Sequence, residues 1–247
     1  MVAEKLPETR RRILESAAEL LAEGGADAVS TRAVSAAAGV QAPTLYRLFG
    51  DKQGLLDELA AYGFERYLAE KEALGTTDDP VADLRRGWDR HVEFGVANPA
   101  FYVLMYGTIR PGRPAAAAEH ARDLLGSLLE RIARAGRLSV PVDTAARMVH
   151  AASSGVTLSL ISAPEGERDP DLSPRTRETI IGAISTAGPE ARDVGDQDAG
   201  AAVSVGTTAL TLDALLDEQP AALTPTETAL LRDWLRRLAG YRAENDR

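Results

Sequence analysis

The sequence predicts an all-α protein, with a small N-terminal helix-turn-helix domain and a larger helical body. Three observations lead there. Apolar residues recur at helical spacing along almost the whole chain. Aromatic residues are only 5% of it, and no run of β-branched residues alternates in strand fashion. Two short helical patterns lie back to back within 31–49 with a glycine between them, a spacing that suits a helix-turn-helix.

The elements follow in order. Over 8–23, Ile13, Ala17, Leu20 and Leu21 form one stripe, widened by Leu14 and Ala18, and Gly24-Gly25 stops the helix. Ser30 is a good N-cap for a second helix over 31–38, and Gly39 follows it as the first residue outside. A third covers 42–49, with Pro43 in its first turn and Gly50 at its end. Asp51 caps a fourth, which reaches 74 through Leu55, Leu56, Leu59, Tyr62 and Phe64. Longer helices are predicted at 80–97, 99–107, 114–135, 142–162 and 173–186, punctuated by Pro99, Pro111, Pro114, Pro141, Pro164 and Pro174. The polar, acidic, Gly-rich stretch AGPEARDVGDQDAG opens a mobile loop over 187–202. Two last helices are predicted at 203–218 and 224–243. Thr224-Pro225-Thr226-Glu227 starts the second of them, and Leu230, Leu231, Trp234, Leu235 and Leu238 form its apolar face. The expected division is 1–55 as the helix-turn-helix domain and 56–247 as the helical body.

Composition narrows the function classes. With no cysteine, disulfides and thiolate metal sites are excluded, and the three histidines lie too far apart in sequence to suggest a metal site. No apolar run approaches the ~18 residues of a membrane span. The charged start of the chain does not suit a signal peptide, so a cytoplasmic protein is expected. Net charge is −9, but residues 1–55 are balanced and the whole of that charge falls on the rest. An N-terminal module able to approach an anion, carried on a body that avoids one, fits this asymmetry. Catalysis finds little support. His91 with Glu93, or Ser153 and Ser154 near His150, lack a catalytic motif in its context, and no phosphate loop or nucleotide fingerprint occurs. No enzyme activity and no cofactor are expected.

The third helix carries the chemistry. On a wheel of about 100° per residue, Leu45, Leu48 and Phe49 share one side, while Pro43 and Arg47 face the other with Thr44 and Tyr46 on the flanks. Such a helix is short enough for the major groove of DNA. Arg47 suits guanine or a phosphate, Gln41 a base edge or a phosphate, and Ala42 and the Pro43 ring suit thymine methyl groups. Ser30, Arg32, Thr44 and Tyr46 are phosphate donors, and Lys52 opens the fourth helix, whose free amides also favour an anion. Paired short helices also occur in proteins that bind no DNA, so a helical ligand- or protein-binding module that does not bind DNA is the alternative on geometry alone.

The segment ILESAAELLAEGGADAVSTRAVSAAAGVQAPTLYRLFGDKQGLLDEL, residues 13–59, closely resembles the DNA-binding domain of the TetR (tetracycline-repressor-like) transcriptional regulators. The family pattern is a first helix ending in Gly, a Thr-x-Arg-x-x-Ile-Ala helix, Ala-Gly-Val, Leu-Tyr-x-x-Phe, and a Lys opening the fourth helix. Gly24 or Gly25, Ser30, Arg32, Val34, Ala38-Gly39-Val40, Leu45-Tyr46, Phe49 and Lys52 stand for it here. Ser35 departs from the usual Ala and is small enough to keep the packing. The resemblance implies a homodimer that reads a palindromic operator with its third helices, half-sites ~34 Å apart. It also implies a C-terminal domain whose small-molecule effector releases the DNA by moving the fourth helix, most often from a repressor.

The body is read directly. Leu84, Trp88, His91 and Gly95 share a stripe, and PAFYVLMYG adds Phe101, Tyr102, Met105 and Tyr106. In a chain poor in aromatics this cluster suits either an apolar effector pocket, with His91 and the tyrosine hydroxyls as polar fixings, or plain core. In MVHAASSGVTLSLI, Ala152, Ser153, Gly155 and Val156 belong to a small-residue stretch that lets another helix approach. With Ile181 on the following helix, the resemblance makes this a candidate dimer interface; packing within the chain is the alternative.

Overall fold

The computed structural model describes residues 5–73, 75–107, 116–186, 205–216 and 223–240. Among them every regular element is helical, and the only strand-like pairing is the isolated bridge between Leu138 and Ser185. The expected loop at 187–202 lies outside the described residues. The helices are α1 (Lys5–Ala28), α2 (Thr31–Ala37), α3 (Ala42–Phe49), α4 (Lys52–Glu72), α5 (Pro80–Ala97), α6 (Pro99–Tyr102), α7 (Ala116–Arg134), α8 (Val142–Ser162), α9 (Leu172–Ile184), α10 (Val205–Leu215) and α11 (Pro225–Leu238). The chain packs as two units. One holds Met1–Gly75, Arg90–Ala121 and Thr157–Arg168; the other holds Thr76–Asp89, Arg122–Val156 and Asp169–Arg247.

One local feature agrees with the sequence reading and two differ from it. The first helix breaks at Gly25, whose φ of 67° and ψ of −167° are not helical, as the expected stop at Gly24-Gly25 requires, and a short further turn carries the chain to Ala28. The turn then seats Val29 with no exposed surface. The helix predicted over 99–107 is α-helical only to Tyr102, and Val103–Gly107 winds as a π turn. A short 3₁₀ turn over Glu165–Glu167, not foreseen, follows α8.

In the first unit, Ile13, Leu14, Ala17 and Leu21 of α1 pack with Val34, Ala38, Leu45, Phe49, Leu55 and Leu59. Phe101 of α6 completes this core, with Leu104 and Met105 packed against it. Two glycines admit the aromatic rings of α6. A Cβ on Gly63 would lie 2.6 Å from Cδ1 of Phe101, and one on Gly95 would lie 2.7 Å from Cδ2 of Tyr102.

In the second unit, Asp79 caps α5 by accepting from the amides of Val81 and Ala82, and it pairs with Arg137. Asp83, only 6% exposed, accepts from Thr77, Arg131 and Arg86. Burial alone would raise its carboxyl, but these donors outweigh burial and hold it below the ordinary range. Arg85 grips Glu178 through Nε and Nη2, so α5 and α9 are clamped by a forked ion pair. Thr224 and Glu227 form a full capping box at the start of α11. The apolar face expected for that helix divides: Leu235 is buried, while Leu230, Trp234 and Leu238 are about half exposed.

Candidate functional site

The turn between α2 and α3 is built by the backbone. The Val40 amide donates to the Ser35 carbonyl at 3.0 Å and the Gly39 amide to Ala36 at 3.2 Å, the two bonds of a Schellman ending. This ending needs a left-handed residue, and Gly39 supplies it at φ 63°. Arg12 adds a bond from Nε to the Ala38 carbonyl, so α1 holds the C-terminus of α2. Asp51 accepts from the Gly54 amide at 2.8 Å and starts α4. At Gly54 a Cβ would fall 2.0 Å from the Phe49 carbonyl oxygen, so glycine there lets α4 begin directly against the end of α3.

The result is a short helix with two distinct sides. Leu45 has no exposed surface and Phe49 has 6%, so both anchor α3 in the core. Gln41, Ala42, Pro43, Tyr46 and Arg47 are exposed, Tyr46 to 50%; Thr44 and Ser30 are half-buried. Gln41 makes no capping bond with its side chain. The Ser30 oxygen accepts from the Ala33 amide at 3.1 Å, which leaves its hydroxyl hydrogen able to donate outward.

The basic side chains divide by task. Arg10 pairs with Glu58 and lies over the Phe49 ring, and Arg12 is spent on α2. Arg32, Arg47 and Lys52 are exposed and form no ion pair with any described residue. Sequence counting treats all of these cations alike; the structure separates the ones that hold the domain together from the ones turned outward.

The second group of expected site residues meets only in part. His91, Tyr102 and Tyr106 come together with Tyr67 of α4, a partner that sequence reading missed because it lies on a different helix. Tyr67 Oη is 2.7 Å from His91 Nδ1, and His91 Nε2 is 2.7 Å from Tyr102 Oη. A neutral imidazole has one donor and one acceptor nitrogen, so one phenol donates to the ring and the other accepts from it. Tyr106 stacks on Tyr102 at 4.6 Å and bonds the Tyr67 hydroxyl. Burial, with Tyr106 and Tyr102 adding to it, pushes the Tyr67 phenol well above its ordinary value. Burial also raises Tyr106. Phe101 and Met105 face the core of the N-terminal helices instead. Trp88 belongs to the second unit and donates its indole N–H to Ser173 at 3.1 Å.

Of the residues expected at an interface, Ser153, Val156 and Ile181 are buried within the chain, Ala152 is half-buried and Gly155 is exposed. Ala151 and Ser159 join Gly155 on the exposed side of α8, and Thr179, Gly182 and Ala183 are exposed on α9. No cluster of His, Cys, Asp or Glu among the described residues suits a metal ion, and no described helix is long and apolar enough to cross a membrane.

A helix-turn-helix with an anchored second helix and outward cations is the arrangement of a DNA-binding domain. Residues 13–59 match the family model of the bacterial regulatory proteins of the tetR family, so this N-terminal segment is similar to the DNA-binding domain of those regulators. Solved structures agree over a longer span. A TetR family transcriptional regulator, PfmR from Thermus thermophilus, is 26% identical with a TM-score of 0.53, over 69% of this chain and 97% of that one. A protein of unknown function from Rhodococcus sp. RHA1 is also 26% identical, with a TM-score of 0.59, over 72% of this chain and 96% of that one. A TetR family regulator from Agrobacterium tumefaciens, 21% identical at a TM-score of 0.55, shares the fold over 73% of this chain and 100% of its own. No curated protein matches the chain in sequence.

Proposed function

We propose that this protein is a homodimeric, ligand-responsive repressor acting in the cytoplasm, with no enzymatic activity of its own. Each protomer lays α3 in the major groove, and the two half-sites of a palindromic operator lie about one helical turn apart, ~34 Å. Arg47 reads guanine or grips a phosphate. Gln41, Ala42 and Pro43 meet base edges, while Ser30, Arg32, Thr44, Tyr46 and Lys52 hold the backbone. The observation that carries this reading is the exposed set Arg32, Arg47 and Lys52, which pairs with no described acidic residue, beside a helix anchored by Leu45 and Phe49.

The effector of this reading binds at the Tyr67–His91–Tyr102–Tyr106 cluster, next to a π turn, a winding common at functional sites. Adjacent residues of α6 support the coupling. Tyr102 bonds His91, and Phe101 lies in the core that seats α3. A ligand that displaces Tyr102 therefore shifts Phe101, and with it the packing under α1 and α4. The dimer forms through the small exposed residues of α8 and α9, which let a partner's helices approach closely.

Genome-wide binding of the protein, followed by titration of the recovered site at fixed salt, tests the DNA reading. Arg47→Ala is expected to weaken that binding by about 1–3 kcal/mol while leaving the oligomeric state unchanged. Equal affinity of the variant and the wild type would remove Arg47 from the interface.

A further inference from the structure

Lys71 lies in the last turn of α4, one turn beyond Tyr67, and its ammonium sits over the Tyr67 ring at 5.0 Å from the centroid. The side chain is half-buried and forms no ion pair or hydrogen bond with any described residue. That ring is one member of a larger aromatic group. Tyr67 packs against Phe94 at 5.0 Å and edge-on to His91 at 5.7 Å, and Phe64 lies 5.3 Å from Tyr106. Removal from water pushes the ammonium down to about 8.

A lysine in this position has lost part of its hydration without gaining a carboxylate from any described residue. The ring face returns only a fraction of what hydration supplied. An apolar side chain of similar length would serve packing better, so the charge has a use other than stability. The neighbouring Tyr67 and Tyr106 phenols, with their raised values, stay neutral and contribute hydroxyl groups and aromatic faces rather than charge. One positive charge beside phenols and an apolar wall matches one negative charge on an apolar body; a phosphate dianion would be left half compensated.

We propose that the effector is an organic monocarboxylate, its carboxylate paired with Lys71 and its body against Tyr106, a ring of the cluster that keeps exposed surface. This rests on reading the tyrosine–histidine cluster as the effector site. A carboxylate at Lys71 also recovers the lost compensation of the ammonium, so ligand binding and protonation of Lys71 reinforce each other.

Matched acid and alcohol pairs test it: decanoate with 1-decanol, and 2-naphthoate with 2-naphthalenemethanol, titrated into the full chain by calorimetry at pH 7. The expected result is that the acid of at least one pair binds about tenfold or more tightly than its alcohol. Lys71→Met abolishes that preference and Lys71→Arg keeps it, with circular dichroism reporting the fold of both. Acid binding to the wild type also weakens as pH rises through 8 toward 9.5, because Lys71 loses its charge there, and binding to Lys71→Met does not follow that profile. Equal affinity for acid and alcohol overturns the carboxylate assignment while the effector site stands, as does an acid preference unchanged in Lys71→Met. Binding of no member of either pair overturns the carboxylate assignment and also removes support for the cluster as the effector site.

Discussion

Gly95 offers a sharp test of how the first unit is packed. A Cβ added there would lie 2.2 Å from Cγ2 of Thr157 and 2.7 Å from Cδ2 of Tyr102. Neither neighbour has exposed surface into which it could retreat. Thr157 is β-branched and helical, so its χ1 is stiff, and Tyr102 is held by its bond to His91. Inserting one methyl group into a closed core costs typically about 1–3 kcal/mol, and contacts this short place the cost at the upper end. Alanine returns about 1 kcal/mol of helix propensity, so Gly95→Ala is expected to destabilise by roughly 2 kcal/mol net. Gly87 on the same helix is the internal control. A Cβ there meets nothing within 4 Å, so Gly87→Ala should stabilise by about 0.5–1 kcal/mol. The two single-methyl variants should therefore melt roughly 5–10 °C apart, followed by circular dichroism on matched samples. A Gly95→Ala protein that melts with or above Gly87→Ala would refute the packing argument, and with it the close seat of Tyr102 on α5.

Ser35 is buried with no partner for its hydroxyl, so Ser35→Ala should raise stability by about 1 kcal/mol in urea denaturation; an unchanged or lower midpoint would mean the hydroxyl is satisfied. Gly155 meets nothing within 4 Å, so Gly155→Leu should leave the protomer's helix content intact but raise the dimer dissociation constant in sedimentation; a dimer of wild-type strength would place the interface elsewhere. Arg131→Met should cost about 2 kcal/mol at pH 7, because Asp83 keeps its burial but loses a charged partner. Since the folded carboxyl is held low, that contribution is present above the unfolded value of about 4 and is lost as pH falls through the folded one. The gap between variant and wild type in urea midpoints should close in acid. Finally, with Arg10 and Arg12 spent inside the domain, operator binding should depend on salt with a slope well short of about −10 on log–log axes; a slope that steep would require phosphate contacts these side chains do not supply.

Helical signals in the sequence were local, which is why they transferred well to the fold. Ser30, Asp51 and Thr224 each cap the helix their spacing predicts, because a cap needs only residues within one turn. The wheel of α3 sorted Leu45 and Phe49 from Pro43, Tyr46 and Arg47 for the same reason. Periodicity failed where partners are distant in sequence. It could not show that Arg10 and Arg12 serve packing, or that Tyr67 closes the chain through His91. It also could not show that Leu230, Trp234 and Leu238 stay half exposed on a helix whose pattern reads as one continuous face.

The segment PAFYVLMYG shows most clearly what pattern alone leaves open. Its aromatics read as a single cluster, yet consecutive residues join different groups. Phe101 enters the core that seats α3, and Tyr102 joins His91. In an α-helix neighbours in sequence point about 100° apart, so a four-residue helix wedged between packed elements necessarily divides its side chains among them. The π turn that follows brings Tyr106 back onto Tyr102 while Met105 remains with Phe101. Glycine at 63 and at 95 is what lets both rings come so close to α4 and α5. A helix this short has little stability of its own, so its position is set by those two contacts. A change at one ring must then be felt at the other. That mechanical economy is what the concentration of aromatics here supplies in a chain so poor in them.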